Sequence, residues 1–331
     1  MNLLLTTLRR GVYSAGKWEK VGEAGSVTFL GAGDHVPVMP EEVLLWLRPR
    51  PGSVILDCTV GYCGHAETIL EHNGPDGIVV GIDRDAVAIE SARARMDRFG
   101  SRLTLIRGKF VDLKAHLASR GITRVNGVLF DLGVSSPQFD QPTRGFSFQT
   151  DGPLDMRMDQ DAEVTAAAIV NRSDETDLAN IIFQFGEERY ARRIARAVVR
   201  ARATRRIETT RDLVSVIESA VPGHYRRGRI HCATRTFQAL RIAVNEELDQ
   251  LEPALRDAVD ILAPGGRICV ISFHSLEDRI VKHTFRSLAG ETLNVLTKRP
   301  LTPTESELDR NPRSRSAKLR AAERIVQEGH A

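Results

Sequence analysis

Cysteine and aromatic residues are scarce in this sequence, and each shortage excludes something. The four cysteines (Cys58, Cys63, Cys232 and Cys269) form no CxxC pair, so neither a disulfide framework nor a zinc ribbon is indicated. Reduced thiols in a cytoplasmic protein are the expectation. Aromatic residues make up only 5% of the chain, too few for an extensive base-stacking surface. No apolar run approaches the roughly 18 residues of a membrane span, so no membrane partner is expected. Metal chemistry has little support: His231 lies beside Cys232, but no second pair has ligand spacing, and the expectation is no metal. His274 reads as a residue held by a backbone hydrogen bond.

Acids are missing from the start of the chain, where none precedes Glu19 while Arg9, Arg10 and Lys17 do. Residues 1–33 read as an N-terminal extension, frayed and cytosolic, rather than a targeting peptide. Net charge is only +3, yet basic residues cluster. Residues 186–235 hold 13 arginines against 5 acids, and residues 311–324 hold 5 basic residues against one acid. Two such clusters on a near-neutral chain suggest contact with a polyanion; a solvated helix face carrying stray arginines is the plain alternative.

What is present in the first half is alternation. Continuous apolar, β-branched runs at 53–60, 77–83, 103–110 and 125–132 alternate with helical spacing at 65–73, 86–99 and 112–119. That pattern predicts a doubly wound α/β fold with a mainly parallel sheet covered on both faces. It stops at a Gly/Pro/Asp-rich loop, 139–157, and a nearly all-helical stretch follows, with helices expected at 164–171, 174–184, 187–203 and 210–220. Alternation returns with a helix at 246–262, a strand at 267–273, a helix at 276–288 and short strands near 294–298 and 317–322. The economical organisation is a discontinuous α/β domain, 34–138 and 233–331, interrupted by a helical insertion, 139–232.

The first strand stops at an acid and opens into a small-residue loop, ILDCTVGYCGH (55–65). In such sheets ligands sit beyond the carboxyl ends of the strands. Gly61 and Gly64 allow close backbone approach, and the following helix offers free N–H groups. Asp83 ends the second strand 22 positions after Gly61, where a carboxylate can accept from both ribose hydroxyls of an adenosine. This feature is shared by dinucleotide enzymes and class I methyltransferases. The loop is not G-x-G-x-x-G, and no P-loop motif occurs, which argues against a nicotinamide cofactor and a nucleoside triphosphate. The fourth strand ends in DLGVSSPQ (131–138). Asp131 and the hydroxyls of Ser135 and Ser136 are suitable acceptors for an exocyclic amine that must develop charge on nitrogen during methyl transfer; a Ser/Pro turn capped by an Asp is the bland reading.

The blocks HVPVM (35–39), GH (64–65), DLGVSSPQ, RGFSF (144–148), DGPLDMRMD (151–159) and GEERYARRIARAVV (186–199) occur in that order. ATRTFQALRIAVNEEL (233–248), LAPGGR (262–267), SFHSLEDRIVK (272–282) and NPRSRSAKLRAAER (311–324) follow. Together they closely resemble the small-subunit ribosomal RNA cytosine N4-methyltransferases, the RsmH (MraW) family, over about residues 34–326. The resemblance implies a class I methyltransferase fold with a helical insertion, S-adenosylmethionine as methyl donor, and a cytidine of the ribosomal decoding region as acceptor. Its partner would be small-subunit ribosomal RNA or the assembled small subunit, with the oligomeric state left open. Carried over by position, cofactor contacts fall on Cys63, Gly64, His65, Asp83, Phe110, Asp131 and Gln138. Two positions depart: Cys63 stands where the family usually has glycine, and Val60 where an aromatic is common. A side chain at a position requiring positive φ costs about 1 kcal/mol.

The arginines supply the RNA side of this reading. Arg189, Arg192, Arg193, Arg196 and Arg200 fall on one broad helical face and could follow a phosphate backbone. Arg144, Arg157 and Arg235 flank the expected pocket and are candidate RNA contacts, although Arg144, Arg157 or Arg235 could equally tie a loop to Asp151 or Asp155. Phe146 and Phe148 are the nearest stacking candidates. Two other functions compete: a methyltransferase-fold ribosome-assembly factor without transfer activity, hinted at by Cys63, and an NAD-dependent oxidoreductase.

Overall fold

The computed structural model describes residues 37–326 and, as backbone, two short strands, β1 (Val12–Ser14) and β2 (Lys17–Glu19), which pair antiparallel as a hairpin. The rest of the expected extension, and His35 of the HVPVM block, lie outside the described residues.

Beyond residue 37 the chain is organised by a sheet of seven strands in the order β5-β4-β3-β6-β7-β9-β8. Strands β3 (Val54–Asp57), β4 (Ile78–Asp83), β5 (Leu103–Arg107), β6 (Val125–Asp131) and β7 (Leu262–Ser272) are parallel to one another. β8 (Leu293–Val295) pairs antiparallel with β9 (Lys318–Arg324), which pairs antiparallel with β7. The first half adds helices α1 (Pro40–Leu47), α2 (Gly64–His72), α3 (Ala86–Met96), α4 (Leu113–Ala118) and α5 (Ser136–Asp140). The helical segment holds α6 (Ala166–Arg172), α7 (Glu175–Gly186), α8 (Ala191–Thr204), α9 (Thr210–Ala220), α10 (Gly223–Arg226) and α11 (Thr234–Asn245). α12 (Leu251–Ile261), α13 (Ser275–Ser287) and α14 (Glu305–Arg310) complete the chain.

Why the central strands are apolar without interruption is visible in the packing. Successive residues enter opposite cores: Ile55, Val79, Leu129 and Ile271 pack with α1, α2 and α3. Leu56, Val80, Val128 and Val270 pack with α4, α12 and α13. Each fully buried Leu, Ile or Val contributes about 1.5–3 kcal/mol. Val60 fits this scheme as well, because a Cβ at Gly81 would come within 2.6 Å of its side chain. The close approach of strand and loop needs a small residue on one side and a compact one on the other.

Several expected boundaries move. Phe110 does not end the third strand: β5 stops at Arg107, and Phe110 opens a short 3-10 turn. The arginine-rich helix begins at Ala191 rather than at 187, because Glu187 adopts a left-handed conformation (φ 49°) and caps α7. Arg189 therefore precedes the helix on which the sequence reading put it. Glu246 does the same after α11 (φ 52°), so the next helix starts at Leu251 instead of 246. The core of the helical segment also passes the expected boundary at 232, since Phe237, Leu240 and Val244 of α11 bury against Leu178, Ile182 and Ile194.

Candidate functional site

The sheet order reverses between β3 and β6, and the connections that leave their carboxyl ends diverge there. The loop after β3 is threaded into this edge by its backbone: Cys58 N–H donates to Leu129 and Val60 N–H to Ile82. Gly61 takes φ 47°, and its N–H donates to Asp83 Oδ2 at 2.8 Å. Asp83 Oδ1 accepts from Asp85 N–H, also at 2.8 Å. Burial pushes the Asp83 carboxyl up to about 6 despite both bonds. A carboxylate has about four acceptor positions, so two of them remain for hydroxyl donors.

Cys63 is the N-cap of α2, with φ 66° and a fully buried side chain. A residue with a Cβ thus carries a left-handed conformation normally left to glycine, while burial pushes its thiol well above the usual range. Next to it, a Cβ on Gly64 would lie 3.2 Å from Pro37. His65 follows, 6% exposed, with Nε2 3.5 Å from Asp131 Oδ2. Burial pulls the imidazole pKa down, but the nearby Asp131 carboxylate outweighs it, and the net direction is upward. His65 Nε2 and Asp131 Oδ1 are both buried without a hydrogen-bond partner among the described residues. Orphaned polar atoms of this kind at a sheet's carboxyl edge fit a ligand that supplies polar groups.

Thr59 links the two strand ends by accepting from Asp131 N–H at 2.7 Å. Asp57 lies beneath it, buried, accepting from Thr59 N–H, with its carboxyl pushed up to about 7 by desolvation. The hydroxyl of Ser135 caps α5 in a reciprocal arrangement with Gln138. Ser136 is half-buried, with no hydrogen bond to its hydroxyl among the described residues. Gln138 Oε1 accepts from Ser135 N–H and its Nε2 donates to Asp85 Oδ2 at 2.7 Å, leaving one N–H and one lone pair for a ligand. Phe110 is half-buried, edge-on to Phe130 at 5.7 Å, with the Arg84 guanidinium 5.9 Å from its ring centre.

The structure corrects Arg144 as an RNA contact. It is 5% exposed, its Nη1 donates to Asp85 at 2.9 Å, and its Nη2 donates to the carbonyls of Arg157 and Met158. Arg157 is likewise occupied by Asp155 and the carbonyls of Gln160 and Ala162. Phe146 is buried in the helical core, and Phe148 packs against His231 and Phe237, so neither offers a free face to a base. Arg192 and Arg193 are exposed and make no ion pair among the described residues, Arg196 pairs with Glu175, and Arg235 is half-buried against the Glu187 carbonyl. Arg189 is exposed and lies over the paired rings of Tyr190 and Tyr225.

Asp57, read in the sequence only as the acid that ends the first strand, and Asp85, two positions after Asp83, join the site without having been candidates for it. Asn245 is another, fixing the backbone of Met156 and Met158. Two metal-type groupings also come together. Glu218 joins His231 and Cys232, and Glu247 joins His274 and Glu277. In the second, Arg241 already forks onto Glu247, and Glu277 accepts from Phe273 N–H. His274 caps α13 by accepting the Glu277 N–H.

A family model described as the MraW methylase family matches residues 32–325. A protein of Pelobacter propionicus named ribosomal RNA small subunit methyltransferase H is 52% identical over 308 residues, covering 88% of this chain and 98% of that protein. Proteins of the same name match from Synechococcus elongatus (53% identical, covering 89% and 96%) and Geobacter sulfurreducens (52%, covering 88% and 99%).

Proposed function

The chain belongs to the MraW methylase family, and on that premise we propose that it methylates N4 of a cytidine in small-subunit ribosomal RNA, using S-adenosylmethionine. The carrying observation is Asp131: it ends β6 at the switch point, beside His65, with one buried oxygen unpartnered. The orphaned Asp131 and His65 atoms and the two free acceptor positions on Asp83 support a polar, adenosine-bearing cofactor. Loop 61–65 and Asp83 would hold its methionine and ribose parts, and Phe110 would pack on the adenine. When bound, the cofactor supplies an electrophilic methyl group.

The remaining work falls to this chain's own residues. An exocyclic amine is a weak nucleophile because its lone pair is delocalised into the ring. Asp131 Oδ1 accepts an amine N–H, which favours pyramidal nitrogen and stabilises the positive charge that develops there. The proton then leaves through Asp131, and His65 at 3.5 Å stabilises that carboxylate before and after. Ser136 offers a second acceptor at the same edge. The outward arginines Arg192 and Arg193 supply sequence-independent attraction to phosphate, while selection of one cytidine rests on drawing that base out of its stack. Identification of the methylated nucleoside in ribosomal RNA tests this reading. No helix among the described residues is long and apolar enough to cross a membrane.

A further inference from the structure

Among residues 37–326, Phe183 is the one Phe, Tyr or Trp that is exposed, at 62%. A lone exposed apolar side chain needs no explanation; its surroundings here do. Phe183 lines a cleft of about 330 Å³ between α7 and the start of α8, together with Asn180, Arg189, Tyr190, Arg192 and Arg193. That volume is at the lower end of ligand clefts, roughly 300–1,000 Å³, and suits one nucleotide rather than a duplex.

The chemistry of the lining is consistent. α7 buries Leu178, Ala179, Ile182 and Gly186, so Phe183 sits at the rim of the buried stripe and turns its ring outward. Asn180, one helical turn earlier, is exposed, and its amide has no hydrogen-bond partner among the described residues, leaving both a donor and an acceptor free for a base edge. Three arginines, Arg189, Arg192 and Arg193, line the same cleft, and none forms an ion pair among the described residues. Arg189 is held in place over the touching rings of Tyr190 and Tyr225, at 4.9 and 4.8 Å from their centres, and Arg193 lies 5.8 Å from the Tyr190 ring centre. Tyr225 is itself fixed by a hydrogen bond to the buried Glu188. A flat apolar face, a free amide and uncompensated positive charge are together complementary to an unpaired nucleotide.

We infer that this cleft is a docking site for an unpaired nucleotide of the RNA substrate, separate from the transfer pocket: Phe183 stacks on the base, Asn180 meets its edge, and Arg192 and Arg193 contact the flanking phosphates. The assignment rests on the RNA substrate proposed above and deepens it.

The test is fluorescence anisotropy of the full chain with a labelled, unstructured oligoribonucleotide and with a duplex of the same sequence, across a salt series. Phe183→Ala lowers single-strand affinity roughly 5- to 100-fold while leaving the salt slope and duplex affinity unchanged, and Phe183→Trp restores binding. Arg192→Ala with Arg193→Ala instead flattens the slope by about 1–2. Circular dichroism verifies that each variant is folded. Unchanged single-strand affinity in Phe183→Ala overturns the proposal, as does an equal loss for duplex, no binding by the parent chain, or displacement of the RNA only by acidic peptide. Methyl transfer is read separately. Transfer without Phe183 dependence retires the cleft alone; Phe183-dependent binding without transfer retires the methyltransferase reading alone.

Discussion

Arg144 Nη1 lies 2.9 Å from Asp85 Oδ2, and both side chains are buried. Asp85 also caps α3 and accepts from Gln138, while Arg144 reaches the carbonyls of Arg157 and Met158. The pair thus fastens the edge that carries Asp83 to the segment 151–159. Arg144→Met leaves a buried carboxylate without its counter-charge and is expected to cost about 3–5 kcal/mol. Adding Asp85→Asn returns part of that loss. Denaturant unfolding measures both, and a cost under about 1 kcal/mol for Arg144→Met would contradict this role.

The same pair shows what was legible in the sequence and what was not. Alternating apolar runs revealed the parallel sheet because strands buried on both faces must be apolar throughout. The acid at the end of β4 and the small residues after β3 pointed to the sheet edge proposed here for the cofactor, since those positions follow from topology. The conspicuous blocks RGFSF and DGPLDMRMD invited a reading as RNA-facing surface. In the fold Arg144 and Asn245 tie segment 151–159 down from inside, and sequence spacing carries no information about which long-range carboxylate or carbonyl an arginine meets. Phe183 carries no mark in the sequence for the opposite reason: in a linear pattern it is one more apolar residue of α7.

Asp83 provides a direct probe of the proposed cofactor site. Two backbone N–H groups fix its carboxylate, and its remaining acceptor positions are those assigned to ribose hydroxyls. Asp83→Ala should weaken S-adenosylmethionine binding about 10- to 100-fold, as expected for loss of charge-assisted hydrogen bonds. Calorimetric titration gives the number, and undiminished affinity would remove Asp83 from the site.

Asp57 makes stability depend on pH. Its carboxyl is raised from 3.8 to about 7 by burial, so within that window the native state holds more protons than the unfolded chain. Its contribution is fully present below 3.8 and is lost as pH rises through about 7. Asp57→Asn cannot ionise, and its stability relative to the parent chain should climb between pH 4 and pH 8 by on the order of a few kcal/mol. Parallel stability curves for the two proteins would show that Asp57 does not titrate there.

The RNA-facing side separates from the cofactor side. Arg192 and Arg193 are exposed on α8 and make no ion pair among the described residues. Reversing both charges, Arg192→Glu with Arg193→Glu, should weaken RNA binding at least tenfold at moderate salt and reduce the salt slope by about 2. Cofactor affinity should stay at the parent value. Equal loss of both affinities would point to a folding defect instead.

Transfer of a methyl group to N4 of cytidine at the Asp131 pocket is read most directly from the product nucleoside. The full chain is incubated with methyl-labelled S-adenosylmethionine and undermethylated small ribosomal subunits, the RNA is digested, and the labelled nucleoside is identified. N4-methylcytidine, reduced at least about 100-fold by Asp131→Ala, is the result the pocket predicts. Label on another nucleoside, no label despite measurable cofactor binding, or full activity in Asp131→Ala would contradict it.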